Sequence, residues 1–318
     1  MTYESIPYAR PLGPPMIADN QRGWLIAFGI CGVLIGTAPA LLVLAVGWLS
    51  VTFGGLRFMG AREVLAATFF LAVNLFATTL LIWMGVASIR CRRWMRPMAI
   101  AVGWIGAIGS AFFLCVISPG LMREMNSSRP DWYIALLFYA MVVVAGVMFP
   151  IIVIWFYSTD AVKRTFGAYN PGLSWTERCP LPVMVGCFGL LCAGTATIGT
   201  SFEAVTPFFG RFIEGDGAAS LAVAAGVIML VAALFLYQML KVGWWLAMAV
   251  IVLGFASALI TFFTVGADDL HHQLGTGPAD GVGVGMAMTL SIMAAAICVG
   301  YLLWVRKYIH RSAELDAR

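Results

Sequence analysis

Charge is what this chain has least of. Of 318 residues only 11% are Asp, Glu, Lys or Arg, against roughly 25% in a soluble domain, so water is not its main solvent. The long apolar runs contain essentially no ionisable side chain, which counts against a proton-coupled pump with a buried carboxylate relay. Histidine is nearly missing too: His271, His272 and His310 fall in a loop or a tail. A membrane cytochrome, whose haem needs axial ligands projecting into a helical bundle, is not expected. None of the seven cysteines lies in an outer loop, so no disulfide framework is implied. Nucleophile elbow, phosphate-binding glycine loop, dinucleotide fingerprint and zinc-protease motif are all lacking, which argues against an enzyme. No cofactor is expected. The first 22 residues carry Pro7, Pro11, Pro14 and Pro15 and lack the ordered parts of a leader, so no cleaved signal peptide is expected.

What is present is apolar and long. Hydrophobic residues make up 61% of the chain, in eight runs at 24–51, 64–89, 98–118, 132–157, 183–202, 218–240, 244–264 and 284–305. Each is close to or above the roughly 20 residues that cross a hydrocarbon core as a helix, and none alternates with the period of a barrel strand. Of the 19 basic residues, 14 fall in segments on the N-terminal side of the membrane and five on the other. Lys and Arg are retained on the cytoplasmic face, so both termini are expected there. The strongest anchor is Arg90, Arg92, Arg93 and Arg96 in "RCRRWMRP". The formal charge of +4 is therefore a topology signal with some attraction to anionic lipid, and not a sign of nucleic acid.

The text also repeats. "GICGVLIGTAP" from Gly29 is answered by "GCFGLLCAGTAT" from Gly186, "LRFMG" at 56–60 by "GRFIEG" at 210–215, and "WMRPMA" at 94–99 by "WWLAMA" at 244–249. Their shared order points to a duplication. Four helices per copy is an even number, so both copies insert in the same direction as parallel repeats. The expected fold is an all-α polytopic membrane bundle of eight transmembrane helices in two parallel four-helix repeats. Its organisation is a tail at 1–22, a first repeat at 23–157, a linker at 158–182, a second repeat at 183–305 and a tail at 306–318. Pro39 and Pro150 are expected to bend or weaken their helices.

Four sets of residues have ligand chemistry. Arg57 and Arg211, each followed by Phe and placed before the second and sixth helices, form a quasi-symmetric pair suited to phosphate or carboxylate; the alternative is snorkelling at the membrane edge. Asn74 and Gln238 are polar groups suited to lining a path, or to bonding within the bundle. Asp268, Asp269, His271 and His272 offer divalent-metal ligands without a recognised spacing, in a loop otherwise read as solvated and acidic. Cys179 in the linker is a thiol with only Arg178 nearby to activate it.

"WFYSTDAVKRTF" from Trp155, with "SWTERCPLP" after it, resembles segments of uncharacterised bacterial multi-pass membrane proteins built from four-helix modules. The resemblance implies a bacterial inner (plasma) membrane setting and supplies no activity. Two readings follow: a non-enzymatic binding or scaffold protein for a membrane lipid, a small-molecule ligand or a protein partner, and a transporter with a path between the repeats. A metal-dependent enzyme using the 268–280 loop is a third. The absence of charged or broken-helix features within the runs favours the first.

Overall fold

The computed structural model describes residues 21–52, 60–126, 132–170, 176, 179–202, 205–264 and 282–316. Apolar segments in hydrocarbon have no water for their backbone groups and close their hydrogen bonds internally, as helices. The helices are α1 (Arg22–Thr52), α2 (Ala61–Ile89), α3 (Met95–Asn126), α4 (Trp132–Val142), α5 (Phe149–Ser158), α6 (Asp160–Tyr169), α7 (Leu181–Thr200), α8 (Gly215–Tyr237), α9 (Lys241–Thr264) and α10 (Val282–Asp316). Among the described residues, seven stretches are long and apolar enough to cross a membrane, and α1 adds a shorter apolar one over Arg22–Thr37. Leu137, Trp155 and Phe263 are 70–75% exposed, surface that suits acyl chains and not water. This is a multi-pass membrane protein.

Glycines set the closest helix approaches. A Cβ on Gly85 would lie 2.6 Å from the Gly29 carbonyl oxygen, and one on Gly226 would lie 2.7 Å from that of Gly194. Backbones meet there because no side chain holds them apart. Gly36 faces Leu81 and Ile82 of α2 as Gly194 faces Met229 and Leu230 of α8.

The turns after α2 and α8 share a geometry. Cys91 (φ 47°) and Met239 (φ 60°) both stand in the left-handed region. In one, Cys91 N–H donates to the Ser88 carbonyl and Arg92 N–H to Ala87; in the other, Met239 donates to Leu236 and Leu240 to Phe235. Both are Schellman closures, usually built on glycine. Beyond the turns, Arg96 Nε donates to the Tyr157 carbonyl (2.9 Å) and Trp244 Nε1 to the Leu302 carbonyl (2.7 Å). Arg96 and Trp244 thus hold equivalent places, two positions away from the register in which "WMRPMA" and "WWLAMA" match as text.

The fourth span is not one α-helix. Between α4 and α5, residues Val143–Met148 form a π turn, closed by the Phe149 N–H on the Val144 carbonyl. Pro150 follows and donates no hydrogen bond, and Gly146 presses on Ser110 of α3. At Thr159 the backbone turns extended (ψ 145°) and α6 leaves in a new direction. Its Val162, Thr165 and Phe166 are buried, and Lys163 and Arg164 are exposed. Thr159 caps α6 by position, but its hydroxyl donates to the Phe156 carbonyl.

The helical bundle also carries one short hairpin of β1 (Val205–Phe208) and β2 (Arg211–Glu214), with Phe208 opposite Arg211. Phe209 (φ 42°) and Gly210 (φ 93°) make the turn. Hydroxyls from α9 hold it: Ser257 Oγ accepts the Phe209 N–H and donates to the Pro207 carbonyl, and Thr261 Oγ1 accepts the Gly210 N–H. The bundle therefore has a linker end, carrying α6 and the two Schellman turns, and a hairpin end. Across its middle, α3 meets α7 where Ile105 lies on Gly189, and nearer the hairpin end α2 meets α7 where Phe69 and Phe70 lie on Gly199. At the hairpin end an Arg62 guanidinium donates to the Ser201 carbonyl at 3.0 Å.

Candidate functional site

At the linker end, α9 starts directly after the Met239 turn, so Lys241 sits at its first residue, with Trp244 and Trp245 one turn on. Helix α10 runs antiparallel beside it and continues unbroken past Val305, where α5 of the first half has already stopped. That extra length brings Arg306 and Ile309 opposite Lys241. Lys241, Trp244, Trp245, Arg306 and Ile309 line an open cavity of about 60 Å³. At ~15 Å³ per water it holds about four waters, the scale of a phosphate or carboxylate group and not of a whole metabolite.

Each wall is fixed for a reason. Trp244 is 5% exposed and anchored by its indole N–H on Leu302. The Arg306 guanidinium lies 5.4 Å from the Trp244 ring centroid, within range of a cation–π attraction. Trp245 meets Trp244 edge to face, with centroids 4.7 Å apart, and remains 61% exposed. Next to it, Lys307 lies 4.6 Å from the Trp304 centroid and 5.0 Å from that of Tyr308. The lining thus brings two cations, Lys241 and Arg306, onto aromatic walls of the kind that settle at headgroup depth.

Of the residues singled out in the sequence, Arg57 and the Asp268, Asp269, His271 and His272 set lie outside the described residues. Among those described, no three metal-ligating side chains gather. Arg211 is exposed in β2, at the hairpin end. Asn74 donates its amide to the Phe70 carbonyl of its own helix at 2.9 Å. Gln238 is exposed beyond the last turn of α8, at the linker end. The structure does not bring Asn74 and Gln238 together: Asn74 is about 20 Å along α2 from its linker end, at 1.5 Å per residue. Thr79, Thr195 and Thr197 likewise bond carbonyls of their own helices.

Sequence reading missed Lys241, Trp244, Trp245, Arg306 and Ile309 as a group. Each motif was visible, "KVGWW" and "WVRKYI", but nothing in either announces that the two meet.

The thiols at this end are quiet. Cys91 and Cys179 are buried. Burial pushes the Cys91 thiol up, with Arg22 opposing, and pushes Cys179 up to about 11. From an ordinary value of 9.0, that leaves about a hundredfold less thiolate at neutral pH. We expect Cys179, as the sole cysteine, to resist maleimide at pH 7.5 in mild detergent and to label fully in SDS. Equal labelling rates in the two would contradict its burial.

Comparison with family models, curated proteins and solved structures finds no match.

Proposed function

We propose that this is an integral inner-membrane protein that binds and does not catalyse, holding an acidic group between Lys241 and Arg306 at the cytoplasmic edge. The observation that carries this reading is the convergence of two cations from separate helices on a tryptophan-walled cavity at one end of the bundle. The linker end faces the cytoplasm in this reading, supported by its basic residues. Eight passes in two parallel four-helix repeats are supported by the paired glycine approaches, the twin Schellman turns and the matching donations of Arg96 and Trp244.

A repeat explains why only the second half is proposed to hold the site. In the first half Arg96 takes the place of Trp244 and uses its guanidinium on a backbone carbonyl. The break at Thr159 then turns α6 away instead of extending the fourth helix. Where α3 meets α7, Ala101 packs in one cluster with Val183, Met184 and Cys187 and Ile105 lies on Gly189, apolar contact that favours binding at the edge over passage between the halves.

The double variant Lys241→Gln/Arg306→Gln tests the reading. Both side chains are exposed, so the fold should be retained. Native mass spectrometry of the purified protein is expected to show acidic adducts on the wild type and a loss of most of them in the variant. Equal retention would remove the site.

A further inference from the structure

The cavity does not stand alone on the surface. Helical spacing carries its lining into the membrane along two stripes. From Lys241 and Trp244 the same edge of α9 continues through Met248 and Val252, one and two turns deeper. From Arg306 the facing edge of α10 continues back through Val299, Ala295 and Ile292. Met248, Val299 and Ala295 are half-buried, and Val252 and Ile292 are 44% and 39% exposed. All five side chains are apolar and partly open, and we read the two strips as the sides of a shallow furrow between antiparallel neighbours.

We infer that the occupant is an anionic glycerophospholipid, with its phosphate between Lys241 and Arg306 and one acyl chain along the α9–α10 furrow. This rests on the binding function proposed above and specifies its ligand. The charge and the furrow select it together. A soluble phosphate would satisfy the cations but gain nothing from a stripe that opens only to acyl chains. A zwitterionic lipid would fill the stripe but bring its own ammonium group beside two cations. A lipid with a net negative headgroup meets both demands, and Trp245 stands where its glycerol region would lie. The phosphodiester geometry also suits the planar donor fork of Arg306.

The test titrates full-length protein in neutral detergent with phosphatidylglycerol, phosphatidylcholine and inorganic phosphate, following tryptophan fluorescence and bound mass. Phosphatidylglycerol should bind roughly thirtyfold more tightly than phosphatidylcholine, about fivefold for each cation near the headgroup. In Lys241→Gln/Arg306→Gln the preference should fall to within about twofold. Lys241→Gln alone, which leaves the Arg306–Trp244 contact in place, should lose about fivefold. Ala295→Phe, which fills the furrow without touching the cations, should weaken the lipid and leave inorganic phosphate unaffected. If inorganic phosphate binds at Lys241 and Arg306 while phosphatidylglycerol shows no advantage over phosphatidylcholine, the lipid inference fails and the acidic site stands. If the phosphatidylglycerol preference survives in the double variant, both fail.

Discussion

Leucine in place of Gly85 is expected to prevent accumulation of folded protein, and leucine in place of Gly226 to do the same in the second half. In each case the first atom added lands on a backbone carbonyl oxygen, 2.6 Å away for Gly85 and 2.7 Å for Gly226. A flexible side chain can swing aside, but a carbonyl within a helix cannot. Relief requires separating α1 from α2, or α7 from α8, along the length of the pair. Alanine should already cost about 1–3 kcal/mol, the range for overpacking a filled core. Leucine adds further atoms in the same direction. Gly254 is the control, because a Cβ there meets nothing within 4 Å, and Gly254→Ala should melt like the wild type. Thermal unfolding in detergent reads all of these, and a Gly85→Leu protein with unaltered melting would overturn the close approach of α1 and α2.

Phe166→Ala is expected to free α6 from the bundle. Phe166 is 1% exposed and Val162 fully buried, and the Phe166 ring stacks near Tyr157 with centroids 6.3 Å apart. Removing a buried phenyl ring costs about 3–5 kcal/mol, more than one short amphipathic helix can recover from its remaining contacts. Tyr157 is held independently. Ser88 Oγ donates to the Leu25 carbonyl at 2.9 Å, leaving Tyr157 as donor in their 2.7 Å bond. The four spans of the first half should therefore stay assembled while the linker opens. Limited trypsin digestion should cut the variant at Lys163 or Arg164 much faster than the wild type, with thermal unfolding of the spans only modestly lowered. Equal cleavage rates would show that α6 is held by something other than its buried face.

The spans were legible because their solvent demands one answer: apolar runs of membrane length become helices whatever their neighbours are. Even the linker announced a helical face in Val162 and Phe166, four residues apart and both buried. What could not be read depended on side chains meeting across the bundle. Ser257 and Thr261 look like ordinary polar positions in an apolar helix, yet they hold the hairpin by accepting the Phe209 and Gly210 N–H groups. Phe209 adopts a backbone that phenylalanine seldom takes, so no turn preference in the sequence predicts it. Lys241 and Arg306 line one cavity because α10 continues unbroken where α5 ends, and such continuity has no residue signature. The Arg57 and Arg211 pairing rests on charge together with repetition; Arg211 stands exposed at the hairpin end, and Arg57 lies outside the described residues.

The π turn at Val143–Met148 has a consequence for the phase of the fourth span. A ring closed from i to i+5 holds one residue more than its α counterpart. The faces of α4 and α5 are set relative to each other by that surplus. Loss of a single residue within the turn can be absorbed by restoring ordinary α bonding, with Tyr157 still facing Ser88. Loss of one residue further along α5 would rotate everything beyond it by about 100°, turning Phe156 off Phe28, on whose ring it stacks with centroids 4.3 Å apart. The fourth span thus keeps a built-in tolerance to a change of length, confined to six residues.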